Sequence, residues 1–161
     1  MRYLCPGQKL RFHRNFHRSL KPLGVTQIKG DISDFSALKQ VCRGIDLVFH
    51  IAAKPGIWGS YDEFYRTNFL GTRHLIDACI ENRVPYLIYT SSPSVIFNGR
   101  DMKGEDESAP YPEHFKAHYP KTKAMAEKAV RDAGTSEIGL KTISLRPHLI
   151  WGPGDNHLVP R

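Results

Sequence analysis

"IDLVFHIAAKPG" (residues 45–56) is apolar almost without interruption and then turns abruptly small and polar. Ile45, Val48 and Ile51 are β-branched, and a short apolar run of this kind reads as a buried strand over 45–53. Upstream, "SDFSALKQVCRG" (33–44) reads as a helix: Ser33 or Asp34 caps it, Phe35, Leu38 and Val41 fall at helical spacing, and Gly44 ends it. Before it, "GVTQIKG" (24–30) is a glycine-bounded strand. Downstream, "YDEFYRTNFLGTRHLIDACIENR" (61–83) is one long helix with Phe64, Leu70, Leu75, Ile76 and Cys79 as its apolar positions, and "VPYLIYTSS" (84–92) is the next strand. A loop rich in Pro, Gly and charge runs to about 118, a helix from about Pro120 to Ala133, and "LKTISLRP" (140–147) is the last strand. Strands alternating with helices predict a parallel α/β sheet, and strands this apolar predict burial on both faces.

The 161 residues allow one domain with a real core. No apolar run approaches the roughly 18 residues of a membrane span, and "MRYLCPGQKL" has no h-region of a signal peptide. Cys5, Cys42 and Cys79 are odd in number and lack CxxC spacing, which points away from disulfides and zinc and toward a reducing compartment, the cytoplasm. The net charge is +7. Part of the excess lies in "KLRFHRNFHRSLK" (9–21), which has no acid. A solvated face, a nucleic-acid patch and a cofactor phosphate all fit such a run; the nucleic-acid reading is set aside.

In doubly wound sheets, ligands bind beyond the carboxyl ends of the strands. Here those ends read "GDISD", "HIAAKPG", "TSSPS" and "RPHLIWGPGD". Packing explains one polar strand end easily; four in register are better explained by a shared crevice. "AHYPKTKAMAEKAV" (117–130) adds Tyr119 four residues before Lys123, on one helix face. A phenol titrates near 10, and lowering it by about 3 units takes roughly 4 kcal/mol, part of which a nearby cation and the helix dipole would supply. Such a Tyr can give a proton to a carbonyl oxygen. An amphipathic helix that begins with an aromatic residue and a surface Lys has the same pattern. Ser91 and Ser92 close a buried strand, either as turn residues or as hydrogen-bond donors to that carbonyl. Asn68 is a poor mid-helix residue, and Gly71 one turn on lets a neighbouring backbone approach. Two such violations together mark a functional position. Ile57 and Trp58 in "KPGIWGS" (54–60) suit the wall of an apolar ligand site or plain packing.

Taken in order, "GDISD", "HIAAKPG", "NFLGT", "YTSSPSVIF", "YPKTK" and "LRPHLIWGPGD" resemble the extended short-chain dehydrogenase/reductases, a superfamily that includes NAD-dependent epimerases and dehydratases. The likeness is greatest to the 3β-hydroxysteroid dehydrogenase-like branch, with "HYPKTKAMAEKAV" and the last 17 residues similar to bacterial 2-alkyl-3-oxoalkanoate reductases. The resemblance covers nearly all of residues 8–161. It implies a Rossmann-like, doubly wound dinucleotide-binding domain and an oxidoreductase interconverting a 3-hydroxy and a 3-keto group on an apolar, sterol-like or β-keto acid substrate. Ser92, Tyr119 and Lys123 would be the catalytic set, with Asn68 supporting Lys123. Ser92 rather than Ser91 takes the family's position, three before Val95. Lys123 would hold the nicotinamide ribose and lower the Tyr119 pKa. Asp31 and Ile32 would border the adenine, Ala52, Ala53 and Lys54 the crevice, and Pro147 and Leu149 the nicotinamide end. Pro93-Ser94 after the serine, where dehydratases carry Asp-Glu, disfavours dehydration. A homodimer through paired helices is common in such enzymes.

The family's GxxGxxG turn, which holds the pyrophosphate at a helix N-terminus, is not found in this sequence. "PGQKLRFHRN" (6–15) reads instead as the family's second strand with its preceding turn. The expectation is therefore a partial domain over 1–161, lacking the first strand and helix and a C-terminal substrate region, and truncated in activity. The central strands would then lose a neighbour or pair with each other. Where the family places an acid that selects NAD, Arg11, His13 and Arg14 stand, which tilts the expected cofactor from NAD toward NADP, with Arg14 on its phosphate. The alternatives are a nucleotide-sugar epimerase of the same superfamily and a catalytically inactive binding module.

Overall fold

The computed structural model describes residues 2–6, 26–137 and 139–150. Its elements in order are β1 (Arg2–Pro6), β2 (Thr26–Gly30), α1 (Phe35–Val41), β3 (Leu47–His50), α2 (Tyr61–Phe64), a π-helical segment (Tyr65–Leu70), α3 (Gly71–Glu81), β4 (Tyr86–Thr90), a 3-10 turn (Pro93–Val95), α4 (His118–Thr135) and β5 (Lys141–Leu145). The four strands and three helices predicted from residue 24 onward are all present. The strand expected within 6–15 falls almost wholly on residues 7–25, which lie outside the described residues together with Arg11, His13 and Arg14; β1 lies just upstream of them.

All pairings are parallel. β1 pairs with β2, and β3-β4-β5 form a second sheet with β4 in the centre. Among the described residues no ladder joins β1 or β2 to the three-stranded sheet.

Local chemistry explains the helix starts. The Asp34 side chain accepts from the Ala37 N–H at 3.0 Å and caps α1. Ser60 and Glu63 form a reciprocal capping box that starts α2. α4 begins two residues earlier than predicted, at His118. Pro120 stays within the first turn, where its missing N–H has no intrahelical partner to lose.

The core lies on one side of the three-stranded sheet. Leu38 of α1 and Cys42 at its C-terminal end, Ile76 and Cys79 of α3, and Ala126 and Val130 of α4 meet Leu87 and Tyr89 of β4 there. The opposite side corrects the sequence reading. Leu47, Phe49, Tyr86, Ile143 and Leu145 are exposed, and strand alternation with the observed register puts all five on that one face. Apolar residues at both parities predicted two covered faces; the described helices cover one.

The helix predicted over 61–83 is continuous but not uniformly α-helical. Its middle, Tyr65–Leu70, is a π segment with Asn68 buried inside it. Such segments occur mostly as single turns and frequently at functional sites. Gly71 follows it at a close approach. A Cβ there would lie 2.6 Å from Ile32 Cγ2, so the close approach is of a side chain, not of the backbone expected. Gly71→Ala is therefore expected to lower stability by about 1 kcal/mol: overpacking of roughly 1–3 kcal/mol outweighs a helix-propensity gain of about 1 kcal/mol. Urea unfolding measures this, and an unchanged midpoint would mean that Ile32 yields freely.

Candidate active site

Residues beyond three strand ends converge on the N-terminal half of α4. Tyr119 is in the first turn of that helix and half-buried, and Lys123, one turn on, is 2% exposed. The sequence places Lys123 on the apolar stripe of the helix, with Ala126 and Val130, so it enters the protein rather than the solvent. Its Nζ donates to the Thr90 carbonyl at the end of β4 at 2.7 Å and stands 4.1 Å from the Tyr89 ring centroid. Burial pushes the Lys123 amine down to about 7, against an opposing pull from Glu127.

Ser92 caps the 3-10 turn after β4. Its hydroxyl accepts from the Ser94 N–H at 3.2 Å and lies 2.8 Å from Ser94 Oγ. The same hydroxyl reaches the Tyr119 phenol and eases its ionisation, but burial dominates and the phenol is raised above its ordinary value. This reverses the expected lowering. The sequence argument counted the lysine and the helix dipole and not the desolvation of a half-buried ring. Ser91, by contrast, is buried beneath α4. Its hydroxyl stabilises the Glu127 carboxylate without closing a hydrogen bond of good geometry.

Asn68 acts as a clamp. Its Oδ1 accepts from the Lys54 N–H at 2.7 Å, and its Nδ2 donates to the Lys54 carbonyl at 3.2 Å and to Thr122 Oγ1 at 3.1 Å. One side chain from the π segment thus ties the loop after β3 to the residue next to Lys123. It touches Lys123 through none of these three bonds, so any support of the lysine is by placing α4. Thr72 Oγ1 donates to the Asn68 carbonyl at 2.6 Å, which leaves that hydroxyl to accept from His50 Nε2 at 2.8 Å. His50 is fully buried, and burial and Lys123 push it down to about 3, so it stays neutral.

On the other side of this clamp is an open polar groove of about 380 Å³ lined by Asp31, Ser33, Lys54, Glu63, Arg66 and Thr67. The sequence-predicted Asp31 and Lys54 therefore share one groove. Lys54 pairs with Glu63 at 3.5 Å and lies 5.2 Å from the Phe64 ring. Ala52 and Ala53 are half-buried beside it, while Ile32 is a core residue. Pro147 is half-buried and Leu149 exposed beyond β5, and Leu149 takes a φ of 28° that a branched residue rarely adopts. Ile57 and Trp58 are exposed on the loop that carries Lys54. Arg14 lies outside the described residues.

Sequence reasoning passed over Thr122, Glu127, Arg146 and Tyr111. A signal for Glu127 was present: it is a charge four residues after Lys123 on the same stripe of a helix whose other stripe members are Ala and Val.

Three comparisons bear on this arrangement. A model described as the 3-beta hydroxysteroid dehydrogenase/isomerase family matches residues 9–161. The 2-alkyl-3-oxoalkanoate reductase of Shewanella oneidensis is 44% identical over 99% of this chain and 43% of its own length, and that of Stenotrophomonas maltophilia 45% identical over 98% and 50%. The mouse sterol-4-alpha-carboxylate 3-dehydrogenase is 40% identical over 81% of this chain. This chain thus spans about half the length of the bacterial relatives it matches. Among solved structures, MoeE5 in complex with UDP-glucose and NAD is 27% identical, with a TM-score of 0.73 over 87% of this chain and 52% of that one. DesIV, a dTDP-glucose 4,6-dehydratase from Streptomyces venezuelae, has a TM-score of 0.79 at 24% identity, a likeness of fold.

Proposed function

Since the chain belongs to the 3-beta hydroxysteroid dehydrogenase/isomerase family, we propose that it carries the dinucleotide-binding and proton-transfer part of an oxidoreductase that interconverts a 3-keto and a 3-hydroxy group on an apolar substrate. The observation that carries this reading is the convergence of Ser92, Tyr119 and the buried Lys123 at the end of β4. The names of the relatives support the substrate class, and exposed Ile57 and Trp58 offer an apolar wall beside the crevice.

The residues present fit a nicotinamide dinucleotide. Asp31 at a strand end offers a polar edge for the adenine, Lys54 offers a cation in the same groove, and Lys123 offers an amine whose partners among the described residues are a carbonyl and a ring. When bound, that cofactor supplies the hydride. The chain's own residues supply the rest. Ser92 fixes the substrate oxygen beside the phenol, and Tyr119 holds the proton at Oη. Its raised pKa keeps that proton in place at neutral pH, which suits donation to a developing alkoxide and hence the reducing direction. Asn68 holds α4 and the loop after β3 at a fixed separation.

Thermal-shift titration tests the reading, with NADH and NADPH run separately. Saturation at 100 times Kd should stabilise the protein by about 2.7 kcal/mol, a rise in Tm of several degrees. The stronger response identifies the cofactor; NADPH is expected, on the basic run around Arg14. No rise with either would overturn the assignment.

A further inference from the structure

Lys123 and Glu127 are one turn apart on the sheet-facing side of α4, 2% and 3% exposed. Charges this dry are costly to keep unless something fixed opposes them. Glu127 is held from two other segments. Arg146, just past β5, brings Nη2 to 2.6 Å and Nε to 3.1 Å of Oε1, with Nε 3.2 Å from Oε2. Tyr111, from the loop before α4, donates its hydroxyl to Oε1 at 2.7 Å. Among the described residues Lys123 has no such partner: its hydrogen bond goes to a neutral carbonyl and its other contact is a ring face.

We propose that Glu127, clamped by Arg146 and Tyr111, is a positioning residue for Lys123: its fixed negative charge keeps the buried amine cationic and aimed at the strand end. This rests on the reading of Lys123 given above. Among the described residues the groups that face Lys123 are Tyr89 from β4, His50 from β3 and Glu127 from α4 itself, with Tyr119 one turn back on the same helix and the Arg146 cation paired to Glu127 from beyond β5. Burial keeps Tyr89 protonated and His50 neutral, and Tyr119 is protonated near neutrality. Glu127 is held below its ordinary value by Arg146, Ser91 and Tyr111 in spite of burial, so it is the anionic member of the set. A purely mechanical role, stapling α4 to β5, would use the same bonds without influencing the protonation of Lys123.

The test is an NMR titration of the Lys123 side chain in protein labelled with 13C and 15N at lysine, its signal assigned by its loss in Lys123→Met. Glu127→Gln keeps the shape and removes the charge. The Lys123 midpoint should fall by about one unit, a tenfold loss in proton affinity, and Glu127→Asp should restore most of it. An unmoved midpoint in a folded Glu127→Gln protein overturns the proposal. Should Glu127→Gln not fold, reciprocity of coupling decides: the Glu127 carboxyl midpoint should rise in Lys123→Met by the same amount, and no rise overturns the proposal. The titration is independent of turnover. A shifted midpoint together with full activity of Tyr119→Phe leaves the electrostatics standing and removes the functional reading; an unmoved midpoint with an inactive Tyr119→Phe does the reverse.

Discussion

Tyr119→Phe is expected to reduce turnover by about 100- to 10,000-fold, the usual contribution of a positioned general acid, while nicotinamide binding stays within a few-fold of the parent. The substitution removes one oxygen and leaves the ring in its half-buried seat in the first turn of α4. Ser92 loses its phenol partner but keeps Ser94. The loss should therefore be in kcat rather than in cofactor affinity, which is the signature of an interaction made in the transition state. Absorbance of the reduced nicotinamide follows turnover and fluorescence follows binding. Unchanged turnover would remove Tyr119 from the chemistry. A parallel loss of binding would make it a packing residue.

Lys123→Met should act in opposite directions on function and on stability. Turnover and cofactor affinity should both collapse, because the amine assigned to the ribose is gone. Tm at neutral pH should rise by several degrees. The folded midpoint of Lys123 is about 7 and its ordinary value 10.5. Between these values the unfolded chain binds more protons than the folded one, so stability increases with pH across that window. The penalty is full below about 7 and is gone above 10.5. Methionine fills a similar volume with no charge to bury, and the gain is reduced by the unpaired Thr90 carbonyl. Urea unfolding at pH 7 and pH 10 checks both parts. The parent should be more stable at the higher pH, and the variant should show much less of that difference. A variant less stable than the parent at pH 7 would show that Lys123 is structural.

Much of this was readable from residue patterns, and the reasons differ by element. The strand ends were legible because each changes sharply from apolar to small or polar within two residues, as at His50 and Ser91. The Tyr119–Lys123 spacing fixed a shared helix face. What that face touches was not legible, since the burial that lowers Lys123 and raises Tyr119 comes from β4, far away in sequence. β1 escaped notice because "RYLCP" has no alternation and no β-branched residue, and its identity as a strand comes from pairing with β2. The bare sheet face was hidden for the opposite reason: Leu47 and Phe49 are as apolar as the buried positions, so composition could not tell one side from the other. Asn68 announced itself as a poor helix former, yet its two partners, Lys54 and Thr122, could come only from tertiary structure.

The π segment constrains how the gene itself can vary. A π turn holds one residue more than the α turn it stands in for. Deleting one codon anywhere in Tyr65–Leu70 would let the helix relax to regular geometry, a local improvement. The flanking turns would keep nearly the same relative rotation, because the wider turn and the regular turn that replaces it each close one revolution, while the wide turn that holds Asn68 would be lost. Gly71 would keep its seat against Ile32, whereas Asn68 would lose its register with Lys54 and Thr122. Such a deletion would leave the hydrophobic pattern of α3 untouched and still separate the loop after β3 from the N-terminal half of α4. A one-residue deletion in this six-residue stretch is therefore expected to cost function more than stability.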